Sequence, residues 1–141
     1  MASGGNKVEA GFREVEHTAD WELQVWAPDL PSLLETAAHG MYSLAGARLQ
    51  NEPLVERRLE LPAHDLERLL VRFLAELLFL GEQENLAFDR FELKLDEGAL
   101  HARLYGSHLS SIHKEIKAVT YHNLVVRHTA RGLEANVVFD V

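Results

Sequence analysis

Leu66, Leu69, Leu70, Phe73, Leu74, Leu77 and Leu78 recur at i, i+3, i+4, i+7, i+8, i+11 and i+12, so a helix through them carries all seven on one face. The spacing predicts an amphipathic helix from about Asp65 to Leu80, with Asp65 as N-cap and Gly81 as the C′ residue. A stripe of this kind must be buried against a second layer, and the chain supplies one: from Ala87 onward the period falls to two. Phe91, Leu93 and Leu95 alternate with Arg90, Glu92 and Lys94, Asp96-Glu97-Gly98 reads as a turn, and Leu100, Ala102 and Leu104 return as the second arm of a β-hairpin. With a sheet available to cover it, the leucine stripe is read as core and not as a docking face.

The remaining segments fit the same two layers. Gly11 to Glu16 and Trp21 to Ala27 read as strands, the second with Trp21, Leu23, Val25 and Ala27 at period two. Asp29 or Leu30 opens a helix with Pro31 in its first turn, and Leu30, Leu33, Leu34, Ala37, Met41, Leu44 and Ala45 share one face until it stops near Gly46. His39 falls on the opposite, wet face. Leu54 to Leu61 alternates as a strand closed by Pro62, Gly106 to His113 is polar and reads as a loop, and Ile116 to Tyr121 and Leu124 to His128 read as strands. The last strand alternates Leu133, Ala135, Val137, Phe139 and Val141 with Glu134, Asn136, Val138 and Asp140, which points Asp140 away from the apolar row. The order β-β-α-β-α followed by strands predicts an α+β, two-layer build, with two amphipathic helices on a mostly antiparallel or mixed sheet. A flexible end over residues 1–10 and one domain over 11–141 are expected.

Composition bounds the chemistry. With 22 acidic against 14 basic residues the net charge is -8, and no basic stripe marks a surface for nucleic acid, so work on RNA or DNA is expected to run through a partner or a bound cation. The chain has no cysteine, which excludes disulfides, thiolate nucleophiles and Cys-type zinc sites and fits a cytoplasmic protein. No apolar run approaches the roughly 20 residues of a membrane span, and residues 1–7 lack the apolar core of a signal peptide. There is no HExxH, Walker-type glycine loop, GxSxG or GxGxxG.

What remains lies at strand ends. His17-Thr18-Ala19-Asp20 joins the first two strands, where polar side chains either bond the turn or serve a site. Asp20, Asp140 and the α-carboxylate of Val141 would, if brought together, form an oxygen-rich pocket for a hard cation such as Ca²⁺ or Mg²⁺; apart, they are solvated carboxylates. Lys117 alternates in line with Val119 and Tyr121, a position suited either to neutralising a phosphate or to snorkelling at a sheet edge. His17 and His122 suit an acid and base pair or structural bonds to the backbone.

Taken in order, FREVEHTADWELQVWA, PSLLETAAHGMYSL, DLERLLVRFLAELLFL, EIKAVTYHNLVV and the terminal VVFDV resemble the archease family over nearly all of the chain after residue 10. Two positions depart from the family pattern: Asn123 stands where an acidic residue is common, and Leu133 where tryptophan is frequent. The resemblance implies an activator of the RtcB-family RNA ligase, promoting guanylylation of the ligase and its multiple turnover in tRNA splicing and RNA repair, and touching RNA only through that ligase. It also implies metal-binding carboxylates at Asp20 and Asp140 with the Val141 terminus nearby, a functional lysine at Lys117, and a divalent cation, Ca²⁺ foremost with Mn²⁺ or Mg²⁺ as alternatives. A small metal-dependent hydrolase using Asp20, Asp140, His17 and His122 is the expectation from a different class, and a chaperone or modulator of RNA-modifying enzymes is a third.

Overall fold

The computed structural model describes residues 8–15 and 20–141. Among them the order is β1 (Gly11–Val15), β2 (Trp21–Ala27), α1 (Leu30–Ala45), β3 (Arg48–Leu49), β4 (Val55–Pro62), α2 (Leu66–Glu84), β5 (Leu86–Asp96), β6 (Ala99–Ser111), β7 (Ala118–Val119), β8 (Arg127–Thr129) and β9 (Gly132–Asp140). The architecture is α+β, two helices on antiparallel sheets, but the strands divide between two sheets where one was expected. The first runs β1-β2-β9-β7 with β8 also on β9; the second runs β3-β6-β4 with β5 on the other edge of β6. Every pairing among the described residues is antiparallel, so the mixed alternative falls away.

Both sheets and both helices feed one core. Leu33, Leu34, Ala37 and Met41 of α1, Leu69, Leu70, Phe73 and Leu74 of α2, Leu23 and Val25 of β2, Ala135, Val137 and Phe139 of β9, and Leu100 and Leu104 of β6 are fully buried in it. Complete burial of a leucine or phenylalanine side chain stabilises by about 1.5–3 kcal/mol each, and that gain holds the layers against chain entropy. Both helix starts are capped as the sequence predicts. The Asp29 carboxylate accepts the Ser32 N–H at 2.8 Å, and that of Asp65 accepts the Arg68 N–H at 3.0 Å. Gly46 closes α1 in the left-handed region at φ 63°.

Several expectations are corrected. α2 continues through Gly81 to Glu84, because the left-handed stop is supplied by Asn85 (φ 58°), whose N–H returns to the Gly81 carbonyl at 3.0 Å. The polar stretch from Gly106 is strand and not loop: β6 runs on to Ser111, and β3 pairs with its end through Arg48↔Ser111 and Leu49↔Leu109. Here polarity concealed close packing, since a Cβ on Gly106 would collide with the Ala87 carbonyl oxygen. The segments 116–121 and 124–128 shrink to the two residues of β7 and the three of β8. Ile116 is buried and Val119 packs on the core while Lys117, Ala118 and Tyr121 are exposed, so the two-residue alternation read for this stretch does not hold. His39 lies off the apolar row and is half-exposed, but its ring also meets Phe91 edge-on at 5.4 Å between centroids and lies 3.7 Å from the Glu35 carboxylate.

Candidate functional site at the closing end of the first sheet

The register of the central pair fixes the site. β2 and β9 match Trp21↔Phe139 and Glu22↔Val138, and Asp20 and Asp140 each lie one residue beyond the last of these pairs. On the other side of β9, Ala118 is the partner of Asp140, and the Lys117 N–H donates to the Asp140 carbonyl at 2.8 Å. Since Leu23, Val25 and Ala27 point into the core, alternation turns Asp20 and Glu22 to the opposite face, along with Asn136 and Asp140 of β9.

A pocket of about 320 Å³ opens on that face, lined by Asp20, Glu22, His122, Asn123, Arg127, Asn136 and Val138. Its wall is the 120–127 segment, held by bonds of several kinds. Thr120 Oγ1 donates to the Val138 carbonyl at 3.0 Å and accepts the His122 N–H at 3.2 Å. The Leu124 N–H closes a turn on the Tyr121 carbonyl at 3.1 Å. Asn123 occupies the left-handed position of that turn (φ 52°), which asparagine tolerates better than most residues, and its side-chain amide lies 3.3 Å from His122 Nε2. From the far side, a Glu67 carboxylate oxygen on α2 accepts the Val126 N–H at 2.7 Å. At the floor, the Asn136 side chain donates to Glu22 at 2.5 Å.

Of the residues singled out in the sequence, Asp20 and His122 line this one pocket. Asp140 does not line it and pairs with Ala118 of β7. Lys117 immediately precedes β7, at the rim of an apolar groove of about 530 Å³ that also includes Leu78, Ile112 and Ile116. Val141 is half-buried and packs on the core. His17 lies outside the described residues. Among the described residues, no three His, Asp or Glu side chains are grouped closely enough to hold a metal ion, so these carboxylates do not form a ready-made metal centre. Glu22, Asn136 and Arg127 were missed. For Glu22 the signal was present, since it lies two residues from Asp20 on the same outward row; for Arg127 no sequence period points to the pocket. The departure at Asn123 thus serves the turn, and Leu133 is a buried residue paired with Ala27.

The model of the Archease protein family matches residues 12–141. Among curated relatives, protein archease of Methanosarcina mazei is 33% identical over the whole of both chains, and that of Methanopyrus kandleri is 34% identical over 92% of this chain and 99% of its own. The crystal structure of an archease, described as a possible chaperone, from Thermotoga maritima superposes with a TM-score of 0.69 at 25% identity, covering 92% of this chain and 96% of that one. The solution structure of protein 1598 from Methanobacterium thermoautotrophicum gives 0.67 at 27% identity, covering 93% and 99%.

Proposed function

The chain belongs to the archease family, and on that premise we propose that it is a cytoplasmic accessory protein of an RtcB-family RNA ligase, raising the ligase's guanylylation and turnover in tRNA splicing and RNA repair. The observation that supports this reading is the end of the first sheet, where the Lys117 N–H bonds the Asp140 carbonyl and Asp20 and Asp140 lie one residue beyond the last β2–β9 pair. The sequence offers no phosphate-cradling glycine loop and no cysteine nucleophile, so the help it gives a ligase would come by contact.

Asp20 and Asp140 are hard oxygen donors of the type that Ca²⁺, Mn²⁺ or Mg²⁺ prefers, and a Ca²⁺ ion takes 6–8 oxygens. Two carboxylates fall short of that, and the Val141 α-carboxylate, water or the ligase itself would complete the set. When bound, the cation would neutralise phosphate charge at the contact. Lys117 would hold a second positive charge beside it, and the pocket wall with His122 and Arg127 would orient what enters.

The placing of Asp20 and His122 in one pocket also favours a second reading, a small metal-dependent hydrolase. The two are separated by assaying ligase guanylylation and multiple-turnover RNA joining with the wild-type chain and with Asp20→Asn, Asp140→Asn and Lys117→Ala. An activator gives no turnover alone and loses its effect in all three variants. Hydrolysis of phosphoesters by the pure protein, or full activation by the variants, overturns the accessory role.

A further inference from the structure

The outer face of the second sheet carries a charge arrangement that neither the fold nor the site above uses. Side chains on this face line up in rows across β4, β6 and β5, and the middle row is Arg58, Arg103 and Glu92. Like charges directly opposite one another on neighbouring strands are destabilising, yet Arg58 and Arg103 are register partners. The nearby carboxylates do not relieve them equally. Glu92 accepts from the Tyr105 hydroxyl at 2.9 Å, and Glu56 is taken by Arg58 at 3.0 Å. In the next row Glu60 lies 3.1 Å from His101, while Lys94 stands on the far side of that histidine. Arg103 and Lys94 have no carboxylate at ion-pair distance among the described residues. A trough of about 810 Å³ runs between the two rows, lined on both sides by these side chains.

We propose that this trough is an anion site taking a single phosphate group between Arg58 and Arg103, with Lys94 at its edge. An oxyanion seated there turns the guanidinium repulsion into two attractions, and a guanidinium fork matches phosphate oxygens two at a time. One phosphate fits better than a long backbone, because the net charge of -8 repels an extended polyanion while Arg58, Arg103, Lys94 and His101 line the trough locally against Glu60 and Glu92. The site is on the other sheet from Asp20 and Asp140 and stands independently of the role proposed for them.

The test is a titration of the full ¹⁵N-labelled chain with sodium phosphate against sodium chloride of equal ionic strength, followed by amide shifts. Saturable shifts confined to β4, β5 and β6 are expected, weakened at least tenfold by Arg103→Gln and by Arg58→Gln. Arg103→Lys, which keeps the charge but lacks the fork, should also weaken them. Arg103→Gln, which relieves the opposed charges without breaking an ion pair, should melt at or above the wild type. A second titration with a pentanucleotide RNA identifies the source: tighter binding on the same residues points to an RNA phosphate, and equal or weaker binding to a small phosphate-bearing ligand. Scattered shifts, unchanged binding in the variants, RNA binding without phosphate binding, or a clearly lower melting temperature for Arg103→Gln would overturn the assignment.

Discussion

The backbone N–H of Lys117 donates to the carbonyl of Asp140 at 2.8 Å, so the lysine and the carboxylate leave adjacent segments at the same level of the first sheet. Their spacing is therefore set by the ladder and not by side-chain chance. Substitution of either side chain leaves that backbone bond in place, which makes the pair suited to charge-changing variants that keep the fold.

If Asp20 and Asp140 share a divalent cation, as proposed, both carboxylates are needed to hold it. Calorimetry with Ca²⁺ and with Mn²⁺ is expected to show binding that Asp20→Ala or Asp140→Ala abolishes, while Lys117→Ala keeps it. At a cation concentration of 100 Kd the wild-type chain should gain about 2.7 kcal/mol of stability, reversed by chelator. Equal heats from all variants would refute the assignment.

For α2 the expectation is structural. Leu70 and Leu74 are fully buried, and Leu70→Ala or Leu74→Ala should each cost about 2–5 kcal/mol in denaturant unfolding. A variant that melts like the parent but loses a partner would transfer the stripe from core to interface.

Glu67 ties the pocket wall to α2 through its 2.7 Å bond from the Val126 N–H. Glu67→Ala should leave the melting temperature within a few degrees of the parent but speed hydrogen exchange at Val126 and its neighbours, and Glu67→Gln should restore part of the protection. A carboxylate acceptor contributes about 1.5–3 kcal/mol to such a bond, an upper bound here because the loop has other anchors. Unchanged exchange in Glu67→Ala would show that Thr120 and Leu124 suffice.

The Arg57 guanidinium meets Glu84 through two N–H donors, at 2.5 and 3.4 Å, and this bonding holds the Glu84 carboxyl below its ordinary value. A carboxylate whose pKa is depressed on folding stabilises the fold above its unfolded value and loses that effect as pH falls through the lowered one. Wild type and Glu84→Gln should therefore differ most near neutral pH and converge in acid, with the gap narrowed by salt because both groups are exposed. A gap that persists at low pH would trace to packing instead.

Both helices, their N-caps and the last strand were legible because one face of each is apolar at a fixed period, from Leu66 to Leu78 and from Leu133 to Phe139. The C-terminal half of β6 was not, since Gly106 and Ser107 are small enough to be buried in a strand while their composition speaks of a loop. Asn85 shows the same limit for helix ends: glycine is the better-known stop, so Gly81 drew the boundary four residues too early. At the site, Asp20, His122 and Lys117 stood out as polar groups at strand ends. Which of them share a pocket depends on the register of β2 against β9 and on the turn at Asn123, and no local pattern encodes either.

That register also sets an order of events. Trp21 pairs with Phe139, residues 118 positions apart (139 − 21), and β1 reaches β9 only through β2. During synthesis β4, α2, β5 and β6 can emerge and associate with neighbours already made, whereas the inner edge of β2 stays unpaired until β9 has been made. The register that brings the start of β2 level with the end of β9 therefore comes into being only after β9 has been made, and a chain cut anywhere before β9 would lack it.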